Sequence, residues 1–391
     1  EYSFLFIGPV MLQRLSAIRL NAKLLILTII TGLLPLIAIS TYSFNRMESM
    51  LINDIHERLD VATKAKKTHL EQYFSTIEHQ VETMAMTQLV IDTAKSMSQS
   101  FYTVGAENGL TPDLLKQMKI SVDQYYSDIF IKKMTDAQMS TDVNAKLLVQ
   151  NLPPDSIVQQ YYYISNNTNP VGEKNKLQSA EDQSSYGQQH ANVHPIFNRY
   201  LNSFGYYDIF IIHPNNGDIL YSVFKEVDFA TSLKTGSFAS SNIAEAYATA
   251  RQLPKGESYI VDFSPYQPSY GAPASFIASP IYDGELLVGV LCFQMPLDNI
   301  NEVLSDSENI GHTGEMILLG EDGLMRSNSR LKMDTHSVQA SFANPTVGHF
   351  NEPLLMNAFT QGVVDDTHLT LMDYRNQEVL FQSRKPKTYR W

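Results

Sequence analysis

Apolar residues follow a helical period through the first part of the chain. Leu24–Tyr42 is a continuous apolar-to-neutral run without a charged residue, about as long as the hydrocarbon core of a bilayer requires. From Met47 to about Phe101, apolar residues recur at spacings of three, four and seven, without a proline or a glycine. This pattern predicts one long helix, or two shorter helices with a break near Ala62–Lys67.

A further helix is predicted to begin at Thr111, because Thr111 can cap it and Pro112 suits its first turn. Leu114–Met134 carries a second apolar stripe, and Pro153-Pro154 ends the helical region. After a polar segment, Tyr186–Phe204 has the pattern of a helix that leads into a sheet.

After residue 205 the pattern changes to short apolar runs separated by turn residues. Five candidate strands follow one another, namely Asp208–His213, Ile219–Lys225, Ser258–Phe263, Ala274–Tyr282 and Leu286–Met295. Pro214–Asp218 joins the first two as a hairpin, and Asp283-Gly284 joins the last two. The helices and this sheet together predict an α+β fold.

A smaller module is predicted after the sheet. Leu297–Leu304 has the pattern of a connecting helix, and Gly311–Arg330 that of two strands around a Gly-Glu-Asp-Gly turn. Pro353–Gln361 is predicted as a short helix. Leu369–Tyr374 and Glu378–Gln382 are candidate strands, and the module is expected to be truncated at Trp391.

Basic residues before the apolar run indicate how the chain crosses a membrane. Arg14, Arg19 and Lys23 precede Leu24, which places the N-terminus in the cytoplasm and the chain after Asn45 outside. The alternative is a cleaved signal peptide with Ala38-Ile39-Ser40 as a weak cleavage motif. Met11 is a candidate for the true start of the protein.

Composition excludes several functions. The net charge of −12, without a dense Lys/Arg patch, argues against binding of nucleic acid. Cys292 is the one cysteine, so neither an intrachain disulfide nor a CxxC metal site can form. There is no GxSxG, HExxH or P-loop motif, and we expect neither an enzyme nor a bound cofactor.

A ligand site is predicted on the sheet. In Ile219–Lys225, alternation places Tyr221, Val223 and Lys225 on one face, where Lys225 beside Tyr221 could hold a ligand carboxylate. The alternative is that Lys225 pairs with Glu226 or Asp228 at the sheet edge.

Asp262 precedes a loop with two prolines and two tyrosines, Ser264–Tyr270. Its carboxylate could receive a ligand ammonium beneath Tyr266 and Tyr270, or it could cap the loop by accepting backbone hydrogen bonds. The predicted ligand-binding residues are Tyr221, Lys225, Asp262, Tyr266 and Ser275.

His190 and His194 lie four residues apart on a predicted helix and therefore share a face. Together they could bind a metal ion, but the spacing supplies no third ligand, and zinc needs three or four. A structural role is the alternative, and we predict no metal site.

Four stretches carry a resemblance to a known family. YYDIFIIHPNNGDILYSVFKEVDFATSL, DFSPYQPSYGAPASFIASPI, GVLCFQMPLDNI and GHTGEMILLGEDGLMRSNSR follow one another in this order. Over about residues 12–391 the chain resembles the extracytoplasmic sensor regions of bacterial methyl-accepting chemotaxis receptors of the double Cache type. The Arg-aromatic pair typical of amino-acid-binding members is not evident.

The resemblance implies a long N-terminal helix and two PAS-like antiparallel-sheet modules, of which the membrane-distal one is larger. The expected division is a cytoplasmic leader (1–23), a transmembrane helix (24–44), a long helical region (45–150), the distal ligand-binding domain (151–304) and the proximal module (305–391). The expected partners are a small molecule, the membrane, a second copy of the chain and cytoplasmic signalling proteins. A histidine kinase or a nucleotide cyclase is the alternative output.

Overall fold

The computed structural model describes residues 19–136, 145–180, 182–305, 310–350 and 368–386. The chain divides into two units, Glu1–Val61 and Ala62–Trp391. The described part of the first unit belongs to helix α1 (Leu20–Ala85). Its large apolar side chains between Leu24 and Tyr42 are exposed. Among the described residues, α1 is the one helix that is long and apolar enough to cross a membrane.

In the second unit, α1 is followed by a series of shorter helices. α1 is continuous through Ala62–Lys67, where one alternative placed a break, and is interrupted instead at Met86-Thr87. Thr87 caps the next helix, because its hydroxyl oxygen accepts from the Val90 amide at 3.4 Å. The helices after α1 and before the sheet are α2 (Gln88–Ser100), α3 (Val104–Glu107), α4 (Pro112–Tyr125), α5 (Ile131–Asp136), α6 (Ala145–Gln150), α7 (Pro154–Gln160) and α8 (Ser185–Phe204).

The predicted start of α4 is confirmed, since Thr111 Oγ1 accepts from the Leu114 amide at 3.2 Å and Pro112 occupies the first turn. The π-helical segments Tyr126–Phe130 and Tyr161–Ser165 follow α4 and α7. The predicted helix before the sheet is also confirmed. α8 ends at Gly205, whose φ of +75° is the left-handed conformation that glycine adopts without strain.

The sheet has five antiparallel strands in the spatial order β2-β1-β5-β4-β3, with α9 (Asn242–Ala250) between β2 and β3 along the chain. Its strands are β1 (Asp208–Ile212), β2 (Ile219–Ser222), β3 (Tyr259–Pro265), β4 (Pro273–Asp283) and β5 (Leu286–Gln294). All five strands were predicted at these places, and both hairpins are confirmed. The α+β, PAS-like fold with a long N-terminal helix is therefore confirmed.

The pairing register defines one face of the sheet. Asp208 lies opposite Gln294, and Phe276 lies opposite Gln294 from the other side. Phe210 lies opposite both Ser222 and Cys292. Because residues directly opposite each other in antiparallel strands share a face, these side chains lie on one side of the sheet. We call this side the polar face.

β2 is shorter than predicted, and the alternation that should extend to Lys225 is wrong. The strand ends at Ser222, whose hydroxyl oxygen accepts from the Lys225 amide at 2.9 Å. Lys225 then takes a φ of +57°, a left-handed conformation in which a strand cannot continue. The chain therefore turns back over the sheet.

The region after β5 contains helices α10 (Leu297–Ser305), α11 (Met333–His336), α12 (Val338–Ala343) and α13 (Pro345–Gly348) and strands β6 (His368–Met372) and β7 (Glu378–Gln382). Leu319, Met325, Val338 and Phe350 form a small hydrophobic cluster of their own. The two strands predicted within Gly311–Arg330 are wrong, because one isolated bridge joins Leu319 to Met325 around the predicted turn. β6 and β7 form close to the two candidate strands and pair antiparallel with each other. The predicted helix Pro353–Gln361 lies outside the described residues.

Candidate functional site

Three buried carboxyl groups lie together at the polar face of the sheet. Asp208 begins β1, and the turn that follows β2 carries Glu226 and Asp228. Between 1% and 8% of each residue is exposed. We call these three residues the acidic cluster. The cluster exists because β2 ends early, so that a segment rich in charge folds inward.

Helical residues hold this turn in place by its carbonyl groups. The Tyr126 hydroxyl donates to the Val227 carbonyl at 3.0 Å. The Gln160 amide donates to the carbonyls of Val227 and Phe229 at 3.1 and 2.8 Å. These polar side chains are buried because the turn needs partners that secondary structure does not supply.

Asp208 is well satisfied. Its Oδ1 accepts from the amides of Val223 and Phe224 at 2.8 and 3.2 Å, and the Ser222 hydroxyl donates to its Oδ2 at 2.8 Å. Asp208 therefore fixes the end of β2 as well as contributing charge.

Glu226 and Asp228 are less well satisfied. Glu226 accepts from the Ser269 and Tyr207 hydroxyls at 3.2 and 3.3 Å. Asp228 accepts from the Tyr266 hydroxyl at Oδ2. Asp228 Oδ1 is buried without a hydrogen bond of good geometry among the described residues, although the nearby amides of Asp228 and Phe229 lower the pKa of this carboxyl group; Gln294 Oε1 is also buried without a partner. Two acceptor atoms at the polar face are thus available to a donor.

Burial and mutual repulsion shift the acidity of the cluster. Burial raises the pKa of Asp228 to about 7, and the charge of Asp208 adds to this effect. Burial raises the pKa of Glu226 well above its ordinary value, and Asp228 and Asp208 raise it further. Burial also raises the pKa of Asp208, against the effect of its hydrogen bonds and of Lys225. A cation entering the cluster would favour the ionised carboxylates.

Lys225 and Tyr221 lie side by side, as the predicted site required, although Lys225 lies beyond the strand. Lys225 is buried, and its ammonium is 4.3 Å from the centre of the Tyr221 ring and donates to the Ser222 carbonyl. The rings of Phe229 and Tyr163 lie 5.3 and 5.8 Å from it. Burial lowers the pKa of Lys225, and Asp208 opposes that shift. The buried position disfavours the alternative of a sheet-edge lysine.

The two histidines form a buried stack behind Tyr221, with ring centres 4.6 Å apart. His194 Nε2 contacts the Asn175 carbonyl at 2.6 Å, and its Nδ1 lies 2.7 Å from the Tyr221 hydroxyl. Both nitrogens of His194 are thus engaged by the protein, and burial lowers its pKa to about 3. No group of three His, Cys, Asp or Glu side chains suited to a metal ion occurs in the part of the chain that the structure describes.

Aromatic side chains surround the acidic cluster. Tyr266 is fully buried and contacts Phe276 edge to face, with ring centres 5.0 Å apart. Tyr207 stacks on Phe224 at 5.5 Å and is 39% exposed. Tyr270 takes a φ of +58° at the end of the loop that carries Ser269. The loop predicted to close a pocket therefore does supply groups next to the acidic residues.

Asp262 and Ser275, the other two predicted site residues, have different partners. Asp262 forms a two-point ion pair with Arg326, with Nε–Oδ1 and Nη2–Oδ2 distances of 2.8 and 2.6 Å. It also accepts from the Phe263 amide at 2.6 Å, in partial agreement with the capping alternative. The Ser275 hydroxyl donates to the Val261 carbonyl at 2.6 Å. Of the five predicted residues, Tyr266 thus contacts the acidic cluster and Lys225 lies in the turn that carries it, whereas Tyr221, opposite Ile211, points to the other face of the sheet and contacts Lys225.

Asp262 also lines an open groove of about 710 Å³ between α9 and β3. Glu245, Asn242 and Tyr259 contribute to its walls. The Asp262 carboxylate in this groove is already paired with Arg326. It is therefore less available to a ligand than the carboxyl groups of the acidic cluster. We therefore take the acidic cluster as the candidate site.

Sequence reasoning missed Asp208, Glu226 and Asp228 as site residues, and Gln294 as well. Glu226 and Asp228 were considered as edge partners of Lys225. The sequence did contain a signal for two of these residues. Asp208 and Gln294 are polar residues within the otherwise largely apolar strands β1 and β5, which are buried on both faces.

Burial makes a nucleophilic role of the single cysteine unfavourable. Cys292 lies on the polar face and is fully buried. Burial raises the pKa of its thiol well above the ordinary value, and the charges of Asp208 and Asp228 raise it further. The thiol therefore stays protonated at neutral pH.

Comparisons with known proteins give little beyond this geometry. No protein-family model and no curated protein matches the chain. Among solved structures, it is similar to the sensor domain of the V. cholerae histidine kinase DctB, with 12% identity and a TM-score of 0.28 over 64% of this chain and 76% of that one. It is also similar to the ligand-binding domain of the Campylobacter jejuni chemoreceptor Tlp3 in complex with 4-methylisoleucine. The identity is 14% and the TM-score 0.28, over 70% of this chain and 80% of that one. At such TM-scores neither likeness carries an argument about this chain.

Proposed function

We propose that this chain is the extracytoplasmic sensing region of a transmembrane chemoreceptor that binds a small molecule at the acidic cluster. One observation carries the proposal: Asp228 Oδ1 and Gln294 Oε1 are buried acceptors without partners among the described residues. Leaving such atoms unpaired costs about 1–3 kcal/mol each. A ligand that donates to them recovers this free energy. The sensor region of a histidine kinase or of a nucleotide cyclase is the second candidate, and the domain on the cytoplasmic side of the membrane distinguishes them.

In this proposal, Lys225, Tyr266 and the acidic cluster contact the ligand, and Tyr221 supports Lys225 from behind. Asp262 connects β3 to the region after β5 through Arg326. We assign residues 151–304 to a membrane-distal binding domain and residues 305–391 to a proximal module that transmits the change. A homodimer that pairs through α1 is part of the same proposal.

A thermal-shift screen tests the binding function directly. We expect at least one small molecule in a broad metabolite panel to raise the melting temperature of the region from Asn45 onward, because a ligand that binds the native state alone stabilises it. A panel that covers amines, carboxylates, sugars and nucleosides and yields no shift would contradict the sensing function.

Tyr266 should contribute strongly to binding of any ligand found in this way. The change Tyr266→Ala removes a fully buried ring and the hydroxyl that donates to Asp228, so we expect affinity to fall by about 1–3 kcal/mol, measured by calorimetry. Tyr282→Ala is the matched control, because Tyr282 lies near the end of β4 and donates to the Leu253 carbonyl at 3.2 Å. Equal losses in the two variants would place the site elsewhere.

Membrane topology follows from the charges around the apolar run. Because Arg14, Arg19 and Lys23 precede Leu24, a reporter enzyme fused after Asn45 should be active on the outer side of the membrane. The same reporter fused after Lys23 should be active in the cytoplasm. Cytoplasmic activity of the fusion after Asn45 would overturn the proposed orientation.

A further inference from the structure

We propose that the acidic cluster takes a small organic cation, whose ammonium group lies between Glu226, Asp228 and the ring of Tyr270, and that Lys133 occupies the outer part of this place when no ligand is bound. This inference rests on the proposed sensing function and adds to it the chemical class of the ligand. Four observations on the described residues carry it.

The first observation is the imbalance of charge. The ammonium of Lys225 lies against the Tyr221 ring and donates to the Ser222 carbonyl, and its charge acts on Asp208. Glu226 and Asp228, by contrast, receive hydrogen bonds from the neutral hydroxyls of Ser269, Tyr207 and Tyr266. No ion pair joins Glu226 or Asp228 to a cation in the described parts of the chain. These two buried carboxyl groups thus have no paired cation, which favours their protonated forms, and a bound cation would favour the ionised carboxylates.

The second observation is the kind of atom left unpaired. Gln294 is 4% exposed, and its amide nitrogen donates to the Ser269 hydroxyl, which in turn donates to Glu226. Its Oε1 therefore lies in the same hydrogen-bonded group as the cluster and is an acceptor, as is Asp228 Oδ1. An ammonium group has three donors and no acceptor. An ammonium group can therefore donate to these two acceptor atoms, whereas a carboxylate, which only accepts hydrogen bonds, cannot.

The third observation is the aromatic surroundings. The Tyr207 hydroxyl donates to Glu226 at 3.3 Å, and Tyr270 directly follows Ser269, whose hydroxyl donates to the same carboxyl group. Aromatic faces attract cations, most strongly where water is excluded. Tyr207 is partly exposed and stacks on Phe224, so this ring links the acidic cluster to the protein surface.

The fourth observation is a lysine already in position. The ammonium of Lys133, on α5, lies 4.1 Å from the centre of the Tyr270 ring. Its charge also acts on Glu226 and opposes the effect of burial on that carboxyl. Lys133 is exposed, so it reaches the cluster from the outside. It marks where an ammonium is stabilised, and a cationic ligand must displace it.

The test uses four probes with a three-carbon chain and the complete chain in detergent micelles. Propylamine and 1,3-diaminopropane carry ammonium groups, propionate carries a carboxylate, and 3-aminopropionate carries both. We expect the two amines to raise the melting temperature and propionate to leave it unchanged, with 3-aminopropionate weaker than propylamine. Asp228→Asn and Glu226→Gln should each reduce amine affinity at least tenfold. Glu245→Gln, in the groove between α9 and β3, is the matched control and should have no effect.

Lys133 supplies the second arm of the test. Lys133→Met should increase amine affinity by about three- to tenfold, because it removes a tethered competitor. Lys132→Met makes the same change on the neighbouring exposed residue of α5 and should leave affinity within twofold of the original. Equal effects of the two variants would show that the change in amine affinity comes from general surface charge and does not come from competition by Lys133.

The outcomes separate the ligand class from the sensing function. Binding of propionate that is lost in Lys225→Met would overturn the cation inference while the sensing function stands. Amine binding that survives both Asp228→Asn and Glu226→Gln would overturn the assigned place. Absence of amine binding in both the original chain and Lys133→Met would overturn the ligand class, whereas the sensing function fails only if the broad panel is also negative. Circular dichroism of each variant excludes misfolding as the cause.

Discussion

Replacing Arg326 with methionine should destabilise the region from Asn45 onward by about 2–4 kcal/mol. Arg326 is 2% exposed. Besides the two bonds to Asp262, it donates to Asp322 Oδ2 at 3.0 Å and to the Leu324 carbonyl at 3.1 Å. Methionine fills part of the volume but leaves these acceptors without their donor. Loss of one partner of a buried ion pair is strongly destabilising, and the estimate is reduced because Asp262 and Asp322 are 26% and 47% exposed.

Urea unfolding measures this effect, and Arg330→Met is the matched control. Arg330 is exposed, and its guanidinium donates to the carbonyls of His312 and Gly314, so we expect a loss below about 1 kcal/mol. Ligand affinity of the Arg326 variant should change little at temperatures where it is folded, because Arg326 does not contact the acidic cluster. Equal stability losses for the two arginines would show that the Asp262–Arg326 pair adds nothing.

The strands of the sheet could be predicted because local pattern and turn chemistry agree there. Gly217 and Gly284 lie in the two predicted hairpin connections and have φ of +76° and +61°, a conformation that glycine adopts without strain. The interruption of α1 at Met86-Thr87 was not predicted, since no proline or glycine marks it. The interruption depends on one threonine hydroxyl, which caps α2. Elsewhere in this chain threonines lie inside helices, so a threonine alone does not predict a break.

The candidate site was harder to predict because it depends on where a strand ends. Alternation assumed that β2 continues to Lys225, whereas the Ser222 side chain closes a turn three residues earlier. That turn moves Glu226 and Asp228 from an expected exposed edge to the interior. Periodicity measures the direction of side chains within an element and carries no information on a turn that begins inside it.

Asp262 illustrates a second limit. Its partner Arg326 lies 64 residues later in the sequence, in a segment whose own pattern predicted two strands that do not form. A carboxylate before a proline-rich loop is equally compatible with a ligand, a cap or a distant arginine. Only the tertiary structure distinguishes these possibilities.

The pH dependence of stability should report directly on the acidic cluster. Burial raises the pKa of Asp228 to about 7 in the folded chain, whereas the ordinary pKa of an aspartate is 3.8. Between these values the folded state binds more protons than the unfolded chain. The free energy of unfolding should therefore fall by at most about 1.4 kcal/mol per pH unit as pH rises through this window. Above about pH 7 it should level off.

Buried histidines act in the opposite direction below about pH 6.5. Burial lowers the pKa of His190 and His194, so the unfolded chain takes up protons there that the folded state does not. The difference in stability between Asp228→Asn and the original chain does not include the contribution of the histidines, because both proteins contain them. The titratable groups that act on Asp228, or on which it acts, are Asp208, Glu226, Tyr126, Tyr266, Tyr270 and Cys292, and Lys225 acts on it through Asp208.

We therefore expect Asp228→Asn to gain stability relative to the original chain as pH rises, by about 2–3 kcal/mol between pH 5 and pH 8. Asparagine keeps an oxygen for the Tyr266 hydroxyl and removes the buried charge. Urea unfolding of both proteins across this range, without ligand, measures the difference, and Glu245→Gln should follow the original chain throughout. A difference between Asp228→Asn and the original chain that does not change with pH would mean that Asp228 titrates as an exposed carboxylate. Ionisation of Asp228 in the acidic cluster would then carry no cost for a bound cation to offset, contrary to the proposal.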